Sequence, residues 1–311
     1  MSFISIVIAT HNGSEYISEQ LHSILDQTYR DFEIIVIDDC SHDSTVEIIK
    51  EIFTERKFLN YSIEVNSSNI GVTKTFEKGI GKSKGKYIAI SDQDDIWLQD
   101  KLEKSLNALE KYSADIVHSP SLILKGSNEK PSSIIYPEHR NFKNLFALLM
   151  HNNARGATLF MKRDFVTKLI PFSKYDLYDK WIYFLGILYG KVYYFDKPLH
   201  YYRIHKENYI GDKYKFRRKK DLILKLNSEM LFYKQLFEYV SRNKDVKYCY
   251  SYNEILNEIE NIIKFINDIS ICINNKNLME CFWKYLQNIF GRGFNKAEKI
   301  TYLYYYLFKL R

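Results

Sequence analysis

Between Phe3 and Ile90, apolar runs of strand length alternate with segments whose apolar residues recur at helical spacing, and this alternation restricts the fold more than any other feature. Phe3–Thr10 is a β-branched run that ends in the turn signal His11-Asn12-Gly13. Glu15–Gln27 follows, with Ile17, Leu21, Ile24 and Leu25 on one helical face. Phe32–Ile37 is continuously apolar, the pattern of a strand covered on both faces in a parallel sheet. Ser44 with Glu47 reads as a capping box for the next helix. Tyr61–Val65, Thr73–Gly79 and Tyr87–Ile90 continue as strand, helix and strand. Such alternation predicts a doubly wound α/β sheet with right-handed crossovers, in which ligands bind beyond the carboxyl ends of the strands. Polar clusters stand at those ends: Thr10-His11-Asn12, Asp38-Asp39 and Asp92-Gln93-Asp94-Asp95.

The middle third is mixed. Ile116–Pro120, Ala157–Met161 and Lys191–Phe195 read as strands, and Asp179–Leu188 as a helix. From Lys213 the character changes to long amphipathic helices over Asp221–Ser241, Tyr252–Ile273 and Met279–Phe290. Charge marks the same boundary. Residues 1–212 hold 26 basic and 28 acidic side chains, and residues 213–311 hold 19 and 10, so the net +7 arises wholly in the last third. The expected organisation is an α/β domain over 1–212, with halves of about 1–100 and 101–212, followed by a basic, aromatic helical module over 213–311. An uneven charge of this kind counts against a uniformly basic nucleic-acid-binding protein. Cys40, Cys249, Cys272 and Cys281 show no CxxC spacing, which argues against a zinc site or a disulfide framework and for reduced cytosolic thiols. The N-terminus reads as a first strand, not a signal peptide, and no apolar run approaches the roughly 18 residues of a transmembrane helix.

Three carboxylates within four residues, Asp92, Asp94 and Asp95, repel one another unless a cation is present, and hard oxygen ligands suit Mg²⁺ or Mn²⁺ completed by substrate phosphates. A solvated acidic turn ahead of a helix near Leu98 is the plainer reading. Asp38-Asp39 offers acceptors for a pyrimidine N3–H or for ribose hydroxyls, and two acids exceed what a helix cap at Asp43 or Ser44 requires. Gly79–Lys86 superficially resembles a phosphate loop, but its spacing fits neither phosphate-binding pattern and it joins a helix to a strand, so it is read as a turn.

Taken in order, Ser5-Ile6-Val7-Ile8-Ala9-Thr10-His11-Asn12, then Asp38-Asp39 with Ser41, Asp43 and Ser44, then Asp92, Asp94 and Asp95 resemble glycosyltransferase family 2 over roughly residues 3–212. Asp92-Gln93-Asp94-Asp95-Ile96-Trp97 resembles the form common in bacterial rhamnosyltransferases and related O-antigen or capsule enzymes. Tyr178-Asp179-Lys180-Trp181, Tyr194–Leu199 and Tyr202-Arg203-Ile204-His205 agree with it, although the subgroup usually has His-Asp-Trp where this chain has Tyr178-Asp179-Lys180. The resemblance implies a GT-A fold and inverting transfer from a nucleotide-sugar donor. It places Asp39 on the nucleobase, with Thr10, His11 and Asn12 about its pocket, and Asp92 on the ribose or the metal shell. Asp94 would bind Mn²⁺ or Mg²⁺ with His205 as a further ligand, Arg203 would lie near the diphosphate, and Asp179 would be the general base. Asn152, Asn153 and Gly156 fall in a region that lines the acceptor and diphosphate side in this family. Trp97 and Trp181 read either as a sugar platform or, more often for tryptophan, as core.

The chemistry is consistent with these roles. A leaving nucleoside diphosphate develops charge that a divalent cation stabilises, and one carboxylate near the acceptor hydroxyl can take its proton. The favoured donor is dTDP-rhamnose, with UDP-glucose or UDP-galactose as the alternative, and the acceptor is a lipid-linked or polysaccharide glycan of a bacterial surface. A different class of reading keeps the fold in a non-catalytic, membrane-associated assembly partner. Lys213–Lys220 carries six cations interleaved with aromatics, and Tyr302–Arg311 has the same character. Both suit the anionic inner face of a cell membrane, or else ordinary helix packing or a homodimer contact. The acidic clusters argue against nucleic acid.

Overall fold

The computed structural model describes residues 3–125, 133–135, 145–150, 152, 154–205 and 219–274. They pack as two compact units, the first drawn from 1–140, 152–172 and 177–205 and the second from 141–151, 173–176 and 206–311.

The first unit opens with the anticipated alternation: β1 (Ile4–Thr10), α1 (Ile17–Leu25), β2 (Phe32–Asp38), α2 (Thr45–Glu55), β3 (Tyr61–Val65), α3 (Val72–Lys82) and β4 (Tyr87–Ser91). It continues through β5 (Ile96–Trp97), α4 (Lys101–Lys111), β6 (Ile116–His118), β7 (Ser121–Lys125) and β8 (Ser133–Ile135). After α5 (Leu145–Met150), which belongs to the second unit, come β9 (Phe160–Lys162), α6 (Arg163–Val166), α7 (Tyr178–Tyr189), β10 (Val192–Tyr194) and β11 (His200–Ile204). The seven-stranded sheet has the order β10-β6-β9-β4-β1-β2-β3. It is mixed: β4, β1, β2 and β3 run parallel, and β9 runs antiparallel to both β4 and β6. Every residue of β2 is buried, as its unbroken apolar run requires. Ile4, Ile6, Ile8, Ile34 and Val36 face a core built with α1, α2 and α4, while Val7 meets Gly79 of α3 on the opposite face. The chain adds β1, β2 and β3 on one side and then crosses back to place β4 beside β1. This reversal makes the β1/β4 junction the topological switch point, the place beyond the strand ends where sheets of this kind bind ligands.

Several local expectations are corrected. The strand anticipated at Ala157–Met161 is a single 3₁₀ turn over Gly156–Thr158 followed by the shorter β9. The helix anticipated near Leu98 starts at Lys101. Ser44 makes no capping bond with its side chain; Asp43 does that work by accepting from the backbone N–H of Thr45. Hydrogen bonds from Thr45 and Ser14, outweighing the burial that would raise it, hold Asp43 at about 2. The Gly79–Lys86 segment is the end of α3 and the turn into β4, as its direction required.

A second sheet, β5-β11-β7-β8, lies in the same unit, with β11 antiparallel to β5 and parallel to β7. The second unit contains α5, α8 (Lys219–Arg242) and α9 (Tyr252–Asn274). Ile255, Ile259, Ile262, Ile266 and Ile269 are buried at the alternating four- and three-residue spacing of a helix–helix seam. They pack with Leu226, Phe232, Leu236 and Val240 of α8, and the Tyr233 hydroxyl donates to the Leu149 carbonyl on α5. The anticipated helix at Met279–Phe290, the cations from Lys213 to Arg218 and the aromatic Tyr302–Arg311 end lie outside the described residues. No helix among the described residues is long and apolar enough to cross a membrane.

Candidate active site

The three polar clusters converge because β4, β1 and β2 are adjacent and parallel, so their carboxyl ends share one edge. Gln93 joins two of the clusters. Its Oε1 accepts from the His11 N–H at 2.8 Å and its Nε2 donates to the His11 carbonyl at 3.1 Å. Gly13 makes room for this clamp, since a Cβ there would lie 2.3 Å from Gln93 Oε1. The loop after β1 is also pinned from β2. Asn12 N–H donates to Ser41 Oγ, Gly13 N–H to Thr45 Oγ1, and His42 N–H to Asn12 Oδ1. Asn12 and Cys40 hold positive φ, 48° and 64°, in the loops that follow the two strands. Non-glycine residues adopt that conformation when surrounding bonds impose it.

The adjacent acids Asp38 and Asp39 divide the work. Asp38 is fully buried and accepts from Thr10 Oγ1 and from the N–H and hydroxyl of Ser41. It ties two loops together, and it occupies the hydroxyl of Thr10. Asp39 accepts from Asn66 Nδ2 and the N–H groups of Ile70 and Gly71 at 2.8–2.9 Å. Gly71, at φ 85°, takes a backbone turn that L side chains rarely adopt and thereby aims its N–H at the carboxylate. His11 Nδ1 lies 2.8 Å from the Asp39 carbonyl, which can only accept, so Nδ1 carries a proton. Nε2 then accepts from the amides of Asn12 and Asn69, both at 3.3 Å. Sequence reasoning missed Asn66, Asn69 and Gln93 as partners. They are polar residues without a spacing signal, brought in by the sheet order.

The acid cluster also divides. Asp94 Oδ2 lies 2.7 Å from His205 Nε2, and the Tyr16 ring packs against the His205 ring at 4.6 Å. Arg203 is buried, donates from Nε to the Asp94 carbonyl and pairs with Glu19 through Nη2. The structure thus gives Arg203 a clear task in holding the acid loop. Asp95 turns inward: fully buried, it accepts from the Arg203 N–H and faces His200 Nε2 at 3.7 Å. Asp92 is pushed up to about 7 by burial, by Asp94 and by Asp179. Carboxylates this crowded suit a cation. Asp94 and His205 present a hard oxygen and an imidazole nitrogen on converging atoms, a donor pair that fits Mn²⁺ or Mg²⁺. Among the described residues, no group of three or more His, Cys, Asp or Glu side chains forms a metal cage.

Asp179 sits in the first turn of α7, 5% exposed. It accepts from Asn152 Nδ2 at 3.1 Å and Gly156 N–H at 3.2 Å, and the repulsion with Asp92 places it within electrostatic reach of the acid cluster. Asn152 and Gly156 therefore hold the candidate base, while Asn153 lies outside the described residues. Neither tryptophan forms a sugar platform. Trp97 and Trp181 are 3% and 0% exposed, and Trp181 Nε1 donates to the Leu169 carbonyl in the interior.

A sheet of this order with acids gathered at its switch point defines an α/β protein of the doubly wound kind, and the comparisons narrow the class. The chain belongs to glycosyl transferase family 2, whose model matches residues 5–167. Relatives include TuaG of Bacillus subtilis (strain 168), a glycosyltransferase assigned to teichuronic acid biosynthesis, at 37% identity. That match covers 35% of this chain and 43% of TuaG, so the chain spans less than half the length of that relative. The UDP-Glc:α-D-GlcNAc-diphosphoundecaprenol β-1,3-glucosyltransferase WfaP of Escherichia coli is 27% identical over 82% of this chain and 98% of WfaP. The dTDP-rhamnosyl transferase RfbG of Shigella flexneri is 28% identical over 68% of this chain and 76% of RfbG. Among solved structures, S. aureus TarS (residues 1–349) in complex with UDP-GlcNAc superposes with a TM-score of 0.57 at 16% identity, covering 95% of this chain and 93% of that one. The mannosyltransferase PcManGT of Pyrobaculum calidifontis, in complex with GDP-Man and Mn²⁺, does so at 0.56 and 16%, covering 99% and 81%. At these identities the superpositions establish the shared GT-A-like fold.

Proposed function

We propose that the chain transfers a single sugar, with inversion, from a nucleotide diphosphate sugar to a lipid-linked or polysaccharide acceptor in bacterial surface-glycan synthesis. The observation that carries this reading is the gathering of Asp92, the Asp94–His205 pair and Asp179 about the end of β4, beside the Asp39 and His11 pocket. Asp39, His11 and Asn12 would receive the nucleobase, with Thr10 supporting them from beneath. Asp94 and His205 would hold Mn²⁺ or Mg²⁺, which when bound supplies charge stabilisation to a departing diphosphate. A two-residue protein set leaves further positions to phosphate oxygens and water. Arg203 holds the loop carrying Asp94 in register, and Asp92 stands toward the ribose. Asp179, fixed by Asn152 and Gly156, would take the acceptor hydroxyl proton as the glycosidic bond forms.

The favoured donor is dTDP-rhamnose, on the Asp92–Trp97 motif and the similarity to RfbG. A second reading, UDP-glucose or UDP-galactose transfer to a diphosphoundecaprenol-linked sugar, is favoured by the match that spans 98% of WfaP. Localisation on the inner face of the membrane follows from the acceptor class and the cationic Lys213–Lys220 segment. A donor panel with mass spectrometry of the product tests the whole reading; no metal-dependent turnover with any nucleotide sugar would sink it. Within it, Asp94→Asn should abolish metal-dependent transfer. Asp179→Asn should lower kcat by at least about 100-fold with donor affinity retained, whereas a selective loss of donor affinity would contradict the base role.

A further inference from the structure

We propose that Arg155 is a substrate-binding residue: held over the ring of Tyr202 beside the turn that fixes the candidate base, its guanidinium receives phosphate oxygens of a substrate diphosphate. The inference rests on the glycosyl-transfer reading of the site. Asn152 and Gly156, which both donate to Asp179, stand on either side of Arg155 in the chain. Asn152 Oδ1 also accepts from the Ala154 N–H at 3.2 Å. The Arg155 carbonyl accepts from the N–H and the hydroxyl of Thr158 at 2.9 and 2.7 Å. The backbone that carries Arg155 is thus fixed by the same turn that fixes Asp179. Its side chain reaches β11, where Cζ lies 5.1 Å from the centre of the Tyr202 ring. Tyr202 precedes Arg203, whose Nε donates to the Asp94 carbonyl at 3.0 Å. Arg155 therefore links the turn of the candidate base to the strand that braces the acid loop.

The donors of this guanidinium are what point to a ligand. Arg203, on the same strand as Tyr202, commits its own to the Asp94 carbonyl and to Glu19. Among the described residues, no carboxylate, carbonyl or hydroxyl accepts from the Arg155 guanidinium. Arg155 is half-buried, so its planar fork remains within reach of a bound molecule. Such a fork matches phosphate oxygens in pairs, and the contact with an aromatic ring orients it before the ligand arrives. The proposed reaction supplies the need, since a diphosphate must settle near Asp92, Asp94 and Asp179, whose charges repel it. A fixed cation on the side of the base offsets that repulsion. The diphosphate can arrive on the nucleotide sugar or on a lipid-linked acceptor, and the chemistry that recognises it is the same. An arginine that only packs on Tyr202 would support the fold without telling a charged ligand from a neutral one.

The test uses the full chain with Arg155→Met, Arg155→Lys and Tyr202→Leu, each checked for folding by thermal unfolding. Arg155→Gln carries the test if the methionine variant does not fold. Binding is measured by calorimetry in Mn²⁺ buffer with two pairs of probes. UDP and dTDP beside uridine and thymidine report on the donor source, and farnesyl diphosphate beside farnesol reports on the acceptor source. Arg155→Met should weaken the diphosphates of one source at least about tenfold, the scale of a charge-assisted pair, and leave their uncharged counterparts unchanged. Loss confined to UDP and dTDP assigns Arg155 to the donor, and loss confined to farnesyl diphosphate assigns it to the acceptor. Arg155→Lys keeps the charge without the fork and should recover only part of the affinity. Tyr202→Leu should weaken the same ligand about threefold. Unchanged binding of both kinds of diphosphate in folded Arg155→Met, or an equal loss for charged and uncharged probes, overturns the proposal for Arg155 alone. No binding of UDP or dTDP by the unmodified chain, together with no turnover in the donor panel, would overturn the reading of the site and the proposal with it.

Discussion

Gln93 shows what a single residue contributes once the fold has placed it. Its amide pairs with both backbone groups of His11 and so welds the loop after β4 to the loop after β1. The flanking acids are recognisable as chemistry in sequence, but a glutamine between them carries no signal of its own. Its role depends on β1 and β4 being neighbours although 76 residues of chain lie between Thr10 and Tyr87. Gly13→Ala isolates this clamp. The added Cβ displaces only the flexible end of Gln93, so stability should change by less than about 1 kcal/mol. Donor KM should nonetheless rise several-fold as His11 loosens, measured by steady-state kinetics beside a thermal melt. Asp95 teaches the opposite lesson. In sequence it is one of three equivalent acids, yet its carboxylate is turned into the interior toward His200, because the end of β11 offers it the Arg203 N–H.

At the scale of elements, β11 does the most for the site. It lies between β5 and β7 and delivers Arg203 and His205 back to the acid loop, more than 100 residues from Asp94. Glu19 of α1 and the Tyr16 ring hold those two side chains from the other side. The residues of β11 were legible as a motif, whereas Glu19 and Tyr16 were not, because nothing in α1 but its place beside β11 marks them. The helical elements follow sequence closely, since a 3.6-residue period is a local property. The buried seam of α9 gives a direct check. Ile262→Ala should cost about 2–5 kcal/mol, as buried aliphatic truncations do, read by denaturant unfolding. Glu260→Ala, at an exposed position of the same helix, should be nearly neutral.

At the scale of the whole molecule, acid stability and surface charge make separate predictions. His118 is buried between the rings of Tyr183 and Tyr194, and burial lowers it to about 4 from an ordinary 6.5. Between those values the unfolded chain binds the extra proton, so stability is complete above about pH 6.5 and falls as pH drops toward 4. This one group should account for on the order of 3 kcal/mol of loss between pH 7 and pH 4. His118→Phe keeps the ring packing without titrating and should flatten that part of the profile in chemical denaturation run against pH. Separately, replacing the six cations of Lys213–Lys220 by glutamine should abolish co-sedimentation with anionic vesicles at low salt, since each contributes about 1 kcal/mol near such a surface. Retained binding would assign the attraction elsewhere. By itself, the sequence determined the strand–helix alternation, the amphipathic C-terminal helices and the identity of the acids at the strand ends, since periodicity and charge are local and survive without a fold. Only the tertiary structure decided that Asp38 and Asp95 face inward while Asp94 meets His205, that Trp97 is core, and that Gln93 clamps His11 and Glu19 pairs with Arg203. Those outcomes depend on which strands become neighbours, and strand order comes from the burial of both sheet faces together, a property that no stretch of sequence contains alone.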